Sequence, residues 1–356
     1  MFQPGLKNVT AVQTKLSNID GDQGRLSYRG KEIQQLVEGY SFEEVAYFLL
    51  YEEFPDPITK EEFESKLKDY RSLPDYMERI LLELPIDMEI MDVLRTLISS
   101  HHIKHGVEIE ESALRLIAVI PTIISYQYRR MNHLPFLKPD KSLNHVENLI
   151  YMLNEETNHI HAKILETYLI LTMEHGLNAS TFAARVTIST ESDLVSAITS
   201  AIGTMKGPLH GGAPSGVIEL LEEIETKDNI CEIIHKKLRN KERIMGFGHR
   251  VYKTIDPRAE ALKYTISQLD QLPEWVELAF ETELKTIEIL KEVKPNQNLY
   301  TNVEYYAAAI MKALNINPML FTAIFSSSRI VGWCAHAIEQ MSNNTIFRPN
   351  AMYIGK

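Results

Sequence analysis

Apolar residues along this chain recur at spacings of three and four far more often than they alternate, so the pattern predicts a helical protein. Ser41-Phe-Glu-Glu44 reads as a capping box leading into Val45, Phe48 and Leu49. A helix from about His161 places Ile164, Leu165, Tyr168, Leu169 and Leu171 on its buried side and stops near Gly176. Ser192 is expected to cap the next helix, whose stripe of Leu194, Val195, Ile198, Ala201, Ile202 and Met205 must end at Gly207-Pro208. Ser215 then opens a helix through Val217, Ile218, Leu221 and Ile224. Asp256-Pro257 is a start signal, a cap followed by proline at the first helical position, and it places Arg258 in the first turn. A long helix over roughly 275–293 is broken by Pro295, and Asn302 caps another through Tyr306, Ile310 and Leu314, with Glu304 in its first turn. A final helix is expected from Ser327 to about Met341, then a tail through Arg348-Pro349. The single β signal is IDGDQGRLSYRG at 19–30, where Gly21 and Gly24 bracket a turn. The expected fold class is all-α with one short N-terminal β-hairpin.

Composition narrows this further. The 356 residues can bury a large core in one big domain or two coupled ones. A net charge of −11 argues against general affinity for nucleic acid or anionic membrane, so any anionic ligand must meet a local cluster of positive charge. The two cysteines, Cys231 and Cys334, imply no disulfide framework and no metal-ligand spacing. MFQPGLKNV lacks the apolar core of a secretory signal, and the most apolar stretch, Leu116 to Ile124, is too short to span a bilayer. A cytoplasmic protein is the expectation.

Candidate chemistry concentrates in two glycine-flanked segments, GPLHGGA at 207–213 and GFGHRVYKTIDPRA at 246–259. Histidine exchanges protons near neutral pH, and glycine neighbours leave little to pack against, so His210 and His249 point to a site built from loops at helix ends. His175, just before Gly176, is expected to sit at a helix C-terminus that favours an imidazolium. From Lys236 to Lys253 there are seven Lys or Arg against one acid, Glu242. That run flows into Gly246-Phe-Gly248, whose backbone amides would suit a phosphate. Arg258, Arg329 and Arg348 are expected at helix starts or in loops and offer forks that fit carboxylates. Glu304, next to a helix N-terminus, is expected to be ionised by the helix dipole, as a general base or merely as a cap. His101, His102 and His105 lie close together without acidic or cysteine partners at ligand spacing, so no metal site is expected.

Taken together, these residues resemble the citrate synthase family over nearly the whole chain, from GLKNVTAV and IDGDQGRLSYRG to FRPNAMYIG. GFGHRVYKTIDPR is similar to the family signature, and EHGLNASTFAARV (174–186) and KGPLHGGAPS (206–215) match as closely. The resemblance implies a mainly helical homodimer, with a large domain formed by 1–211 and 316–356, a small domain at 212–315, and His210 at the hinge. It implies condensation of acetyl-CoA with oxaloacetate, with acetyl-CoA as co-substrate and no tightly bound cofactor or metal. His175, His249, Arg258 and Arg329 resemble the oxaloacetate-binding residues, and Arg348 resembles the one supplied across the dimer interface. Arg243, Ile244, Met245 and Gly246 with Lys253 resemble the coenzyme A loop. His210, His249 and Glu304 would be catalytic, but most of the family carries Asn-Val-Asp where this chain reads Asn302-Val303-Glu304. The extra methylene shifts the carboxylate by roughly an ångström and is expected to lower turnover. Two other readings stand beside this one: 2-methylcitrate synthesis from propionyl-CoA, and a weakly active relative that binds coenzyme A or oxaloacetate. The chain also lacks the N-terminal extension of the hexameric, NADH-inhibited relatives, so a dimer insensitive to NADH is expected.

Overall fold

The helical spacing is realised almost throughout. The computed structural model describes residues 2–211, 213–249, 251–268, 274–297 and 299–355, with only the backbone of 213–215. A three-stranded antiparallel sheet comes first, β1 (Ser17–Asp20), β2 (Arg25–Tyr28) and β3 (Lys31–Glu32), in the order β1-β2-β3. Helices follow as α1 (Ile33–Gly39), α2 (Phe42–Tyr51), α3 (Pro57–Tyr70), α4 (Asp75–Glu83), α5 (Ile90–Ser99), α6 (Ile109–Met131), α7 (His145–Asn154) and α8 (His159–Thr172). The chain continues through α9 (Ala179–Ile188), α10 (Leu194–Met205), α11 (Ala213–Ile224), α12 (Ile230–Arg239), α13 (Pro257–Ser267), α14 (Glu274–Val293), α15 (Val303–Ala313) and α16 (Phe321–Ser342). No helix among the described residues is long and apolar enough to cross a membrane.

Local signals account for most boundaries. The Ser41 hydroxyl accepts from the Glu44 N–H while the Glu44 carboxylate accepts from the Ser41 N–H, closing the expected box. Asp256 caps α13 and Asn302 caps α15 through their side chains. Three starts differ from expectation. Asp193 rather than Ser192 caps α10, accepting from the Ser196 N–H at 2.7 Å. Helix α11 begins at Ala213, two residues before Ser215. Helix α16 begins at Phe321, because the turn Pro318–Leu320, capped by Asn317, runs straight into it. Ser327, expected as the helix start, lies inside it, where Ser326 and Ser327 donate to the carbonyls of Thr322 and Ile324 and Ser328 donates across to Leu169. Arg329 is therefore a mid-helix residue and not a terminal one.

The core is organised around α6 and α16, which bury residues on nearly every face and pack against each other, with α5, α9 and α10 closing over them. Trp333 in α16 is fully buried. The main apolar cluster also takes in Val217, Leu262 and the buried face of α15. A second cluster, Leu220, Ile224, Ile230, Ile234, Ile244, Leu278 and Ile289, lies wholly within 212–315.

The expected hairpin exists and has a specific seat. Its turn packs on residues 251–255: the Lys253 N–H donates to the Gly21 carbonyl at 2.8 Å, and a Cβ on Gly21 would lie 2.2 Å from the Val251 carbonyl oxygen. Gly21 is thus required by close approach and not by the turn itself.

Candidate active site

Six side chains from five separate segments line one cavity of about 970 Å3: His175, His210, His249, Arg258, Glu304 and Arg329. His175 follows the end of α8, His210 follows α10, and His249 lies before α13. Arg258 and Glu304 occupy the first turns of α13 and α15, and Arg329 projects from α16. The N-terminal segment contributes Gly5 to Val9 and Ala11 to the lining, and Leu177, Leu209 and Phe325 supply apolar wall.

The three imidazoles are neutral in this cavity. His210 and His249 are each pushed down to about 4, and His175 well below its ordinary 6.5. Burial is the main cause in each case, and the charge of Arg258 or Arg329 adds to it. The expected imidazolium at His175 is not realised. The last helical residue before it is Thr172, so it lies beyond the α8 carbonyls and faces Arg258, Arg329 and His249 instead.

Hydrogen bonds assign the ring protons. Nε2 of His210 accepts from the Ser180 N–H at 3.3 Å and lies 2.8 Å from the Ser180 hydroxyl, so the ring proton is on Nδ1. Ser180 is itself held by Asn178 and by Trp333 Nε1. Nδ1 of His249 accepts from the N–H groups of Val251 and Tyr252 at 3.1 and 3.2 Å, leaving its proton on Nε2. His175 Nε2 meets the Tyr252 hydroxyl at 3.1 Å, which locks the two histidines in an edge-to-face pair. The Nδ1–H of His210 therefore has no partner among the described residues, and the Nε2–H of His249 lies beside Arg258 Nη2, 3.4 Å away, which as a donor cannot accept it.

The two arginines are prepared differently. Arg258 donates through Nε and Nη2 to both oxygens of Asp256 at 3.0 and 2.8 Å, and Asp256 also accepts from the Val303 N–H. One carboxylate thus joins the first turns of α13 and α15. Arg329, 2% exposed, donates only through Nε, to the Thr172 carbonyl at 2.7 Å. Both of its terminal nitrogens lack partners among the described residues.

Glu304 is raised to about 7 by burial, aided by Asp256 and opposed by Arg258 and Arg329. The helix dipole expected to ionise it is outweighed, because the carboxylate forms no hydrogen bond or ion pair among the described residues and lies in an apolar-walled cavity. A carboxyl group that titrates near the working pH is suited to taking up and giving back a proton.

The other expected residues lie outside this cavity. Arg243 and Ile244 line a second cavity of about 490 Å3, on the other side of His249, together with Lys294, Gln297 and Leu299. Ile244 also belongs to the second apolar cluster, and Gly246 is packed against Tyr305. Met245 lies beside Gly216. The amides expected to receive a phosphate are occupied, with the Phe247 N–H bonded to Ile244 and the Gly248 N–H to Tyr300 at 2.7 Å. Lys253 is exposed and paired with Asp22 at 2.7 Å. Arg348 is exposed in the tail and lines neither cavity. His101 is buried, whereas His102 is exposed, and no group of metal-ligating side chains occurs among the described residues.

Sequence reading missed Asp256 as the partner of Arg258, along with Tyr252, Ser180 and Lys294. The first three sit beside the expected residues in sequence or one turn into α9, but only the folded contacts give them a task.

The chain matches the family described as "Citrate synthase, C-terminal domain" over residues 5–350. A citrate synthase of Synechocystis sp. is 38% identical over 367 residues, covering 100% of this chain and 91% of that protein. A 2-methylcitrate synthase of Shewanella oneidensis is 36% identical over 363 residues, covering 99% and 94%. Among solved structures, citrate synthase from Thermotoga maritima superposes with a TM-score of 0.90 at 42% identity, covering 100% of this chain and 96% of that one. Citrate synthase from Thermoplasma acidophilum, in ternary complex with carboxymethyl coenzyme A and oxaloacetate, does so with 0.91 at 28% identity, covering 100% and 97%. The chain belongs to the citrate synthase family.

Proposed function

We propose that this protein condenses acetyl-CoA with oxaloacetate and water to give citrate and free coenzyme A. The observation that carries the reading is the convergence on one cavity of two imidazoles with spare ring N–H groups, an uncommitted arginine fork and a carboxyl group raised to about 7. Arg258, Arg329 and His175 bind the two carboxylates of oxaloacetate. Glu304 removes a proton from the acetyl methyl carbon while the Nδ1–H of His210 donates to the thioester oxygen, stabilising the enolate as it forms. The enolate carbon attacks the carbonyl carbon of oxaloacetate, whose oxygen receives a hydrogen bond from the Nε2–H of His249. Water then cleaves the thioester, and coenzyme A leaves as the thiol. Arg243, Ile244, Met245, Gly246 and Lys253 form the coenzyme A loop, and Lys253 must part from Asp22 to join it.

The same reading makes the active unit a homodimer in which Arg348 of the partner subunit completes the dicarboxylate site, with 212–315 closing on 1–211 and 316–356. The second apolar cluster confined to 212–315 supports that division. Propionyl-CoA is the competing donor, favoured by the similarity to a 2-methylcitrate synthase. One methylene is worth only ~1–3 kcal/mol of discrimination. Oxaloacetate-dependent release of coenzyme A thiol, measured with acetyl-CoA and with propionyl-CoA, tests the activity and its donor together. Absence of release with both removes the reading and favours a binding-only relative. Light scattering tests the dimer, and a hexamer contradicts it.

A further inference from the structure

Glu174 precedes His175, is fully buried and lines neither cavity. Its Oε1 accepts from the Ser17 hydroxyl at 2.9 Å, the Gly176 N–H at 2.5 Å and His336 Nε2 at 3.0 Å. His336 Nδ1 accepts from Arg185 Nε at 2.9 Å, which leaves the ring proton on Nε2, the nitrogen that donates to Glu174. Arg185 is in turn bonded to Gln340 and Glu339. By contrast Oε2 has no hydrogen bond among the described residues. It lies against α16 at Gly332, where a Cβ would stand 2.7 Å from Oε2 and 2.3 Å from the Met173 carbonyl oxygen.

Gly332 is three residues along α16 from Arg329, on the same side of the helix. Arg329 is a buried cation without an ion pair among the described residues, a state that folding tolerates only when a counter-charge lies near. Asp256 is taken by Arg258, and the Tyr28 and Tyr168 hydroxyls are held neutral by burial. Glu304 also faces Arg329 but is raised to about 7, whereas Glu174 is held ionised and exerts the strongest attraction on Arg329. His336 and Arg329 in turn hold the Glu174 carboxyl below its usual range against the effect of burial.

We infer that Glu174 is a positioning residue for the dicarboxylate end of the cavity. It balances Arg329 from a distance while its hydrogen bonds hold the His175–Gly176 turn, so both terminal nitrogens of the Arg329 fork stay open to a substrate carboxylate. The inference rests on the proposed role of Arg329 in binding oxaloacetate.

Glu174→Gln in the full-length protein removes the negative charge at nearly constant shape, since the amide oxygen can keep the three donors to Oε1 while the amide NH2 takes the buried place of Oε2. With the counter-charge gone, the cavity attracts a dianion more strongly and the folded state is less stable. The expected result is a melting temperature lower by several degrees with a KM for oxaloacetate that falls about twofold to fivefold, and an unchanged KM for acyl-CoA. A packing lesion would lower the melting temperature and raise that KM. Arg329→Gln is measured alongside and is expected to raise the oxaloacetate KM about 100-fold. If it does and Glu174→Gln leaves the KM unchanged or raises it, the inference is overturned and the proposed function stands. If Arg329→Gln leaves the KM unchanged, the reading of Arg329 falls and takes the inference with it. Should Glu174→Gln not fold, Glu174→Asp keeps the negative charge while shortening the reach to Ser17, Gly176 and His336, so the oxaloacetate KM is expected not to fall, and a fall of about twofold or more overturns the inference because no charge has been lost.

Discussion

Around the larger cavity, His210 is held by Ser180, His249 by two backbone N–H groups, His175 by Tyr252 and Arg258 by Asp256. Along 243–253 the picture reverses. Arg243 is exposed, Ile244 is packed into a core, the amides of Phe247 and Gly248 bond within the protein, and Lys253 is paired with Asp22. The side chains of the proposed dicarboxylate end are already held by the protein, whereas those of the proposed coenzyme end are committed elsewhere and would have to rearrange. Small rigid anions with fixed charge geometry reward a prebuilt site, and a long flexible thioester is compatible with one that closes around it.

The largest effect is expected at Glu304. Glu304→Gln should lower kcat for thiol release by about a thousandfold, and an unchanged rate removes the base from the mechanism. Glu304→Asp asks whether reach limits the reaction. A higher rate is expected, and a fall means that the α15 backbone has adapted to the longer side chain.

The pH dependence follows from the same group. Glu304 must be ionised to accept a proton, so kcat/KM is expected to fall tenfold per pH unit below about pH 7 and to level above it. A limb near 4.5, the ordinary value for this side chain, would show that burial does not control it. The sign for stability is the opposite of the usual carboxylate case. The folded state holds this proton more tightly than the unfolded chain, so stability is lost as pH rises from about 4.5 through 7. Glu304→Gln is therefore expected to gain ~1–3 kcal/mol over the parent at pH 8 and nothing at pH 4, measured by thermal or denaturant unfolding.

At the coenzyme end the effects are expected to be smaller and sensitive to salt. Arg243→Ala and Lys294→Ala should each raise the KM for acyl-CoA about threefold to tenfold at low ionic strength, with little change for oxaloacetate. Asp22→Ala frees Lys253 and should lower that KM about twofold or less, the smallest change in the series. If the order were inverted, with Asp22→Ala outweighing Arg243→Ala, the hairpin contact would be the element that limits coenzyme binding.

Most of the helical fold was legible from spacing and caps, because a capping side chain acts within three residues of itself. Asp256-Pro257 and Asn302 start their helices as read. Where tertiary packing supplies an alternative partner, the local signal misleads. Ser327 reads as a helix start because serine competes with the backbone, yet inside α16 its hydroxyl and those of Ser326 and Ser328 are absorbed by carbonyls of the same and a neighbouring helix.

The same division holds at the site. The sequence by itself determined which residue types take part, since the glycine-flanked histidines and the arginine beside a helix start are local features, and it determined the family through motifs over the whole chain. Only the tertiary structure decided their states. Protonation depends on burial and on charges brought from distant segments, so His175 is neutral where an imidazolium was expected, and Glu304 is raised where a helix dipole was expected to ionise it. The assignment of Asp256 to Arg258, and of Glu174 to Arg329 as inferred, likewise depends on which carboxylate reaches which cation through space, and no spacing along the chain encodes that distance.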